Sequence, residues 1–483
     1  MRVVKRNAWL AGLAVALVSA LGSGTSAQLS DLASNPLSTD RSGSIVIFPK
    51  VIADGTRDTL IELTNTSNQT AYAHCIYVNG IGRCRLTGGI CTAGGNPDPA
   101  QCPGGVNDIC DQSCTPLDFD IVLTRQQPTI WRVSTGRTLN PLDNDQDGFC
   151  SAATPPTPQD CPGFDPGIGG MGVGVPLPAQ PFRGELKCVQ TDASGAPAAV
   201  NSLKGEVIIE TLASGEISRY NSLNFVGAPT RNDSSSGTLD ADDSLHLNGD
   251  EYSRCPTGVQ FIHHANGASN DVPANVDPTA CDGVGCTVRT EVTIVPCTQN
   301  PEGGVIIEAP VLVNAINEFE QLAGSASFTI GCWANLDLGD ISSPAYDPSL
   351  GQYRKTHLAG SGTQNVCRAG GDPRVCVSGA DAGDPCLVSS DCEGGQCRAR
   401  ACTSDADCGA GGVCGPPTGF LVVVEEFYDG DNGTGTAAQN AHMIGQRAGA
   451  CQGALSTPCE SDLDCSGGAG TCLVDTIIFD TNP

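Results

Sequence analysis

The chain has 483 residues, 25 basic against 53 acidic, for a formal net charge of −28. A field of that sign repels phosphate backbones and anionic membrane surfaces, which excludes nucleic acid from the expected partners. Its 60 glycines and 32 prolines make it loop-rich without reaching a disordered composition, and its 26 cysteines ask for either an oxidising compartment or a metal.

Residues 1–27 read as a secretory signal peptide. Arg2, Lys5 and Arg6 give the positive start, an apolar run extends from Ala8 to Leu21, and Thr25-Ser26-Ala27 suits cleavage before Gln28. The apolar run is about 14 residues, short of the roughly 20 that span a bilayer. No membrane span is therefore expected after cleavage, and the expected location is secreted, periplasmic or cell-surface. Every cysteine lies beyond the cleavage point, and no C-x-x-C pair of the kind zinc favours occurs. A disulfide framework is the reading.

Short runs of alternating apolar and polar residues then recur: Ile45–Phe48, Thr59–Thr64, Ala71–Val78, Asp118–Thr124, Ile130–Val133, Glu185–Val189, Glu206–Thr211, Val288–Val295, Val305–Val313, Phe328–Leu336, Phe420–Phe427 and Thr476–Phe479. Period-2 alternation marks half-buried strands. Thr59, Ile61 and Leu63 share one face. Phe119, Ile121 and Leu123 point inward while Asp118, Asp120 and Thr124 point out. Val288, Val292 and Ile294 oppose Arg289, Glu291 and Thr293. No amphipathic helix interrupts these runs, so the fold class is all-β: one or more β-sandwich domains with disulfide-rich loop insertions.

The expected organisation is a β-sandwich over 28–226, with a Cys-rich insertion at 84–114 and an Asp/Pro/Gly-rich loop at 140–182. A second β-rich region follows over 227–340, then a Cys-rich repeat region over 341–416. C-terminal β segments occupy 417–483, with a Cys-rich insertion at 451–472. The cysteines fall into even groups: six from Cys75 to Cys114, the pair Cys150 and Cys161, eight from Cys367 to Cys414, four from Cys451 to Cys472, and six beside predicted strands. Each group could close its own bridges. Loop tips tolerate inserted chain, which favours insertion over beads on a string.

Within the later groups, Cys402-Thr-Ser-Asp405-Ala-Asp407-Cys408 matches Cys459-Glu-Ser-Asp462-Leu-Asp464-Cys465, and Cys386-Leu-Val-Ser-Ser-Asp391-Cys392 is a degenerate copy. Each runs on into glycines and a further cysteine. This unit resembles the short C-x-x-D-x-D-C-x-G-G-x-C repeats of exported bacterial proteins. Ser42-Gly-Ser-Ile-Val-Ile-Phe-Pro-Lys50, with Thr64-Asn-Thr-Ser-Asn68, resembles the opening of β-sandwich proteins exported by such bacteria, which also carry a strand ending in Cys-Trp, here Cys332-Trp333. The resemblance implies export and a sandwich, and carries no activity across.

The sharpest candidate site is Asp143-Asn-Asp145-Gln-Asp147-Gly148, with carboxylates at alternate positions and a glycine for the turn. That is the first half of an oxygen-ligand calcium loop. It resembles the thrombospondin type 3 repeat and the Asp-rich metal-binding repeat of bacterial surface proteins. Asp143, Asp145 and Asp147 would supply side-chain oxygens and Phe149 its carbonyl. Thr154 stands where a bidentate glutamate belongs, and Asp160 could replace it if Cys150 and Cys161 are bridged. A plain acidic turn and a site for another metal are the alternatives. The other candidates are weak. Gly167-x-Gly169-x-x-Gly172 lacks the strand and helix a dinucleotide fingerprint needs, His263-His264 reads as surface or turn residues, and the sequons at Asn65, Asn68, Asn232 and Asn432 read as Ser/Thr-rich turns. No catalytic residue is assigned. The functional reading is a non-catalytic extracellular or cell-surface structural or adhesive protein with calcium and other divalent cations, surface glycans or proteins as partners. A secreted polysaccharide hydrolase and a metal-scavenging surface protein are the alternatives.

Overall fold

The computed structural model describes residues from Leu37 to Ile478, apart from 92–101, 139–173, 228–243, 269–286, 300–308, 317–321, 339–354, 361–364, 370–373, 384–396, 460–464, 466–471 and runs of three residues or fewer. The expected signal peptide at 1–27, Asp143, Asp145, Asp147, Phe149, Asp160 and the glycines at 167–172 lie outside the described residues. Among those described, no helix is long and apolar enough to cross a membrane.

The chain is all-β, and its main strands form two sandwiches. The first uses β1 (Leu37–Ser38), β2 (Ile45–Ala53), β3 (Arg57–Asn65), β4 (Ala71–Asn79), β5 (Pro116–Leu123), β6 (Pro128–Arg132), β7 (Phe182–Thr191), β8 (Leu203–Thr211), β9 (Glu216–Asn221) and β10 (Leu223–Phe225). Antiparallel pairing gives one layer in the order β9-β8-β3-β6 and another in the order β5-β4-β7-β2-β10-β1. β2 and β3 meet only at Ala53↔Asp58, the corner where the chain passes between layers. Between them Phe48, Ile61, Leu63, Tyr77, Phe119, Ile121, Trp131, Leu186 and Val207 form one buried core. Trp131 Nε1 donates to the Tyr77 hydroxyl at 2.8 Å across it, so the indole is buried with its one donor satisfied.

The second sandwich uses β11 (Pro256–Ile262), β12 (Thr287–Pro296), β13 (Ala309–Ile316), β14 (Leu322–Ile330), β15 (Ala334–Asp337), β16 (Lys355–Gly360), β17 (Phe420–Gly430), β18 (Gly433–Asn440) and β19 (His442–Gln446). Its layers run β15-β12-β17-β18 and β14-β13-β16-β11-β19. Val259, Phe261, Val292, Ile294, Val311, Val313, Val422 and Val424 lie between them. The expected run Phe328–Leu336 is two strands. The chain breaks at 331–333, where Cys332 bridges to Cys114 and Trp333 is buried against the first sandwich. β9, β11 and β18 are not among the runs expected from alternation; β18, built of Gly, Thr and Ala before Gln439 and Asn440, has no large apolar residue to show a period.

The insertions sit where loop tips tolerate them. The stretch from Cys367 to Cys414 lies between β16 and β17. The four cysteines from Cys451 to Cys472 lie between β19 and the terminal strand Thr476–Ile478, which pairs with Ser244–His246. The terminal strand is therefore tied into the fold, with Ile477 in the contact between the sandwiches.

Candidate functional site

Much of the outer face of the β5-β4-β7-β2-β10-β1 layer faces the second sandwich, while Asp118 at its β5 edge stays exposed. Ile45, Ile47, Ile76, Val78, Val189 and Phe225 pack there against Val295, Leu421, Trp333 and Ile477. A strand buried on both sides should be apolar throughout. Three charged residues break that rule: Lys50, Glu185 and Lys187, all buried.

A β-bulge produces the first. Opposite β7 the register of β2 jumps from Val51 to Phe48 while β7 advances only from Gly184 to Leu186. The extra residue at Pro49-Lys50 reverses the alternation, so Val46, Phe48, Val51 and Ala53 all face the first core and Lys50 turns to the second sandwich. The backbone freed by the bulge is satisfied by one hydroxyl. Lys50 N–H donates to Tyr220 Oη at 2.9 Å, and Tyr220 O–H donates to the Lys50 carbonyl at 2.6 Å. Burial pushes the Tyr220 phenol well above its ordinary value, so it stays a donor.

Lys50 Nζ meets Glu291 Oε2 at 2.7 Å on β12 and Glu425 Oε2 at 2.8 Å on β17. Arg57 of β3 reaches the same two carboxylates, Glu291 at 3.5 Å and Glu425 in closer contact. Arg289 donates to Glu291 Oε1 at 2.6 Å and to Asp337 at 3.4 Å. Ser218 Oγ donates to Glu425 Oε1 at 2.5 Å, and Asn335 Nδ2 to Glu291 Oε2 at 3.1 Å. The Phe427 ring lies among the three cations, 4.2 Å from Arg289 Cζ and 5.0 Å from Arg57 Cζ. Burial alone would raise both glutamates. Lys50, Arg289 and Arg57 hold Glu291 far below the ordinary carboxylate range, and Lys50 and Arg57 lower Glu425. Among the described residues three cations face three carboxylates here, and the cluster ties the first sandwich to the second.

Beside it the aromatic anchor of the joint closes. Trp333 is fully buried, its Nε1 donates to the Pro49 carbonyl at 2.7 Å, and Gln112 Nε2 donates to the carbonyls of Trp333 and Gly80 at 2.6 and 2.7 Å. A Cβ on Gly80 would overlap the Trp333 ring. The two stretches that carry the resemblance, 42–50 and 332–333, thus meet at Pro49 and Trp333.

Lys187 and Glu185 project from β7 into a second buried cluster. Lys187 Nζ touches Glu185 Oε1 and Gln299 Oε1, and Gln299 Nε2 donates to the Pro296 carbonyl at 2.8 Å. Glu185 Oε2 is buried with no hydrogen-bond partner among the described residues. Burial lowers the Lys187 ammonium and raises the Glu185 carboxyl, with their mutual attraction opposing both shifts.

The cysteine tips share one design. Cys84–Cys102 with Cys91–Cys110 and Cys451–Cys465 with Cys459–Cys472 each join first to third and second to fourth, and Cys367–Cys408 interlaces with Cys402–Cys414 in the same way across a stretch that holds four further cysteines. Their sulfurs cluster within metal-ligand reach of one another, but a sulfur in a disulfide is not the thiolate a metal needs. The six-cysteine group does not close on itself. Cys75 bridges to Cys188 on the neighbouring strand and Cys114 to Cys332 in the second sandwich, because each already faces its partner across a buried contact. The remaining described strand pair is Cys255–Cys297, and no described cysteine is free.

The aspartates of the repeat serve the loop itself. Asp407 accepts from Thr403 N–H at 2.7 Å and Ser404 N–H at 3.0 Å, and Asp405 accepts from Cys414 N–H at 2.8 Å. In the first tip Asp108 accepts from Leu86 N–H at 2.6 Å and Gly104 N–H at 2.9 Å. The backbone hydrogen bonds to Thr403 and Ser404 keep Asp407 ionised below its ordinary pKa. Asn65, read as a sequon in a turn, is buried, with its side chain bonded to the Gln69 carbonyl and the Ser67 N–H. His263 is buried and packs on Phe261 at 5.7 Å, so it is a core residue and not a surface one.

No family model and no curated protein matches the chain. A solved structure of a protein from Parabacteroides distasonis ATCC 8503, inferred to be secreted, is similar at 10% identity over 64% of this chain and 69% of its own, with a TM-score of 0.12. So slight a likeness bears on neither fold nor function. The disulfides speak for themselves: a chain stapled this way belongs to an oxidising compartment.

Proposed function

We propose that this chain is an exported, non-catalytic structural protein of the cell exterior, a rigid double sandwich that presents stapled loop tips to partners. The observation that carries this reading is that three separate tips are each held by two interlaced, buried disulfides, joined first to third and second to fourth in the tips from Cys84 to Cys110 and from Cys451 to Cys472. Units so short hold little apolar surface and rely on bridges for their shape, and fixing the same shape three times at loop tips suits presentation. The charged clusters that resemble sites are occupied in joining the sandwiches.

Calcium at Asp143, Asp145, Asp147, Phe149 and Asp160 is part of the proposal and rests on the sequence. Missing a bidentate glutamate, the loop should bind in the weak range of about 10⁻⁴–10⁻³ M. Calcium should then raise the thermal midpoint only at millimolar concentration, and Asp145→Ala should remove that shift; equal responses in both proteins would leave an ordinary acidic turn. Cell fractionation followed by binding screens against surface glycans and divalent ions tests the wider reading. Recovery of the chain in the cytoplasm with its cysteines reduced would overturn it.

A further inference from the structure

The cluster of Lys187, Glu185 and Gln299 holds the parts of an acyl-transfer reaction. A primary amine lies against the oxygen of a carboxamide, one bond from the electrophilic Cδ, and a carboxyl group touches the amine. All three side chains are buried. The amide nitrogen is fixed by the Pro296 carbonyl at 2.8 Å and faces the Cys332 carbonyl at 3.5 Å, which presents the Gln299 oxygen to the lysine. From this geometry we propose that Lys187 and Gln299 become joined by a spontaneous isopeptide bond, with Glu185 as the catalytic acid and base.

The burial that penalises charge works for the reaction. Lys187 gives its proton to Glu185, leaving a neutral amine and a neutral acid, the forms each environment favours. Lys187 Nζ adds to Gln299 Cδ, and the C=O becomes a tetrahedral oxyanion. Glu185 takes a proton from Nζ and delivers one to Nε2, the Cδ–Nε2 bond breaks, and ammonia leaves. The products are one Nε-(γ-glutamyl)lysine link and one ammonia; nothing is oxidised or reduced. Amide aminolysis is slow between free partners, and holding the amine against the carboxamide in the folded core makes it an intramolecular step. Glu185 Oε2, buried and without a hydrogen-bond partner among the described residues, is available to carry a proton through the reaction. The link would join β7 of the first sandwich to the segment following β12 of the second, beside the Cys114–Cys332 bridge, and would survive reduction.

The test is a tryptic map of the full chain, purified folded, then reduced and alkylated. The expected product is peptide 184–204, uncleaved at the acylated Lys187, joined to peptide 290–354 at a mass about 17 Da below their sum, the loss of one ammonia. Cleavage after Lys187, with peptide 290–354 at its full separate mass, would overturn the proposal. Glu185→Gln keeps the shape and removes the proton carrier; it should fold and give the unlinked peptides. A linked Glu185→Gln protein would refute the role of Glu185. Should that variant fail to fold, the wild-type map decides alone.

Discussion

Replacing Lys50 by Met removes the fully buried one of the two cations that touch both Glu291 and Glu425, and keeps most of the side-chain volume. At contacts of 2.7 and 2.8 Å, an effective dielectric of about 20 gives roughly 6 kcal/mol of attraction per pair. Desolvation of the fully buried ammonium offsets most of this in the wild type. The variant keeps the desolvation of Glu425, whose side chain is 1% exposed, without its main partner. Removing one member of a buried pair costs about 3–5 kcal/mol. Arg57 and Arg289 remain beside the carboxylates, so the expected loss is near 3 kcal/mol. Urea unfolding of the oxidised protein measures it, as a lower midpoint with an unchanged slope. Lys50→Met combined with Glu425→Leu should be more stable than Lys50→Met alone, because no uncompensated carboxylate is then buried. A cost below about 1 kcal/mol for the single variant, the range of an exposed pair, would refute the buried joint.

Three further outcomes follow from the same contacts. Glu291 and Glu425 have folded pKa values below their unfolded ones, so their contribution to stability is complete above the ordinary glutamate pKa of about 4.3 and is lost as pH falls through the folded values. An acid titration of the urea midpoint should therefore fall below about pH 4, and replacing both by Gln should flatten it. The Cys114–Cys332 bridge spans 218 residues, for which the chain-entropy model gives up to about 5 kcal/mol; the double Ser variant should lower the midpoint more than loss of Cys402–Cys414, which spans 12. Under reducing conditions, hydrogen exchange should show Cys402 and Cys414 losing protection before Phe119, Ile121 and Leu123, since only the sandwich buries enough apolar area to stand alone; simultaneous loss would sink the division into core and insertion.

The sequence by itself determined the all-β class, most of the core strands and the self-contained tip from Cys451 to Cys472. These depend on local quantities: alternation at period 2, as in Phe119, Ile121 and Leu123, and short loop closures, as from Cys451 to Cys472. It also marked Arg289, Glu291 and Thr293 as one face of a strand. Only the tertiary structure decided that Thr293 and most of Glu291 are covered while Arg289 stays half exposed. Alternation tells which residues lie together and says nothing about whether water or a second sandwich covers them. The joint of Lys50, Arg57, Glu291 and Glu425 joins residues up to 375 positions apart, from Lys50 to Glu425, and no local signal encodes such a contact. One hint was present: a Pro-Lys pair inside the apolar run Ile45–Ala53, which a bulge explains once the strand is seen to be buried on both sides. The same limit hid the partners of Cys75 and Cys114. Closing a long loop costs only slightly more entropy than closing a short one, so proximity in the sequence ranks bridges poorly, and the packing of the two sandwiches chose them.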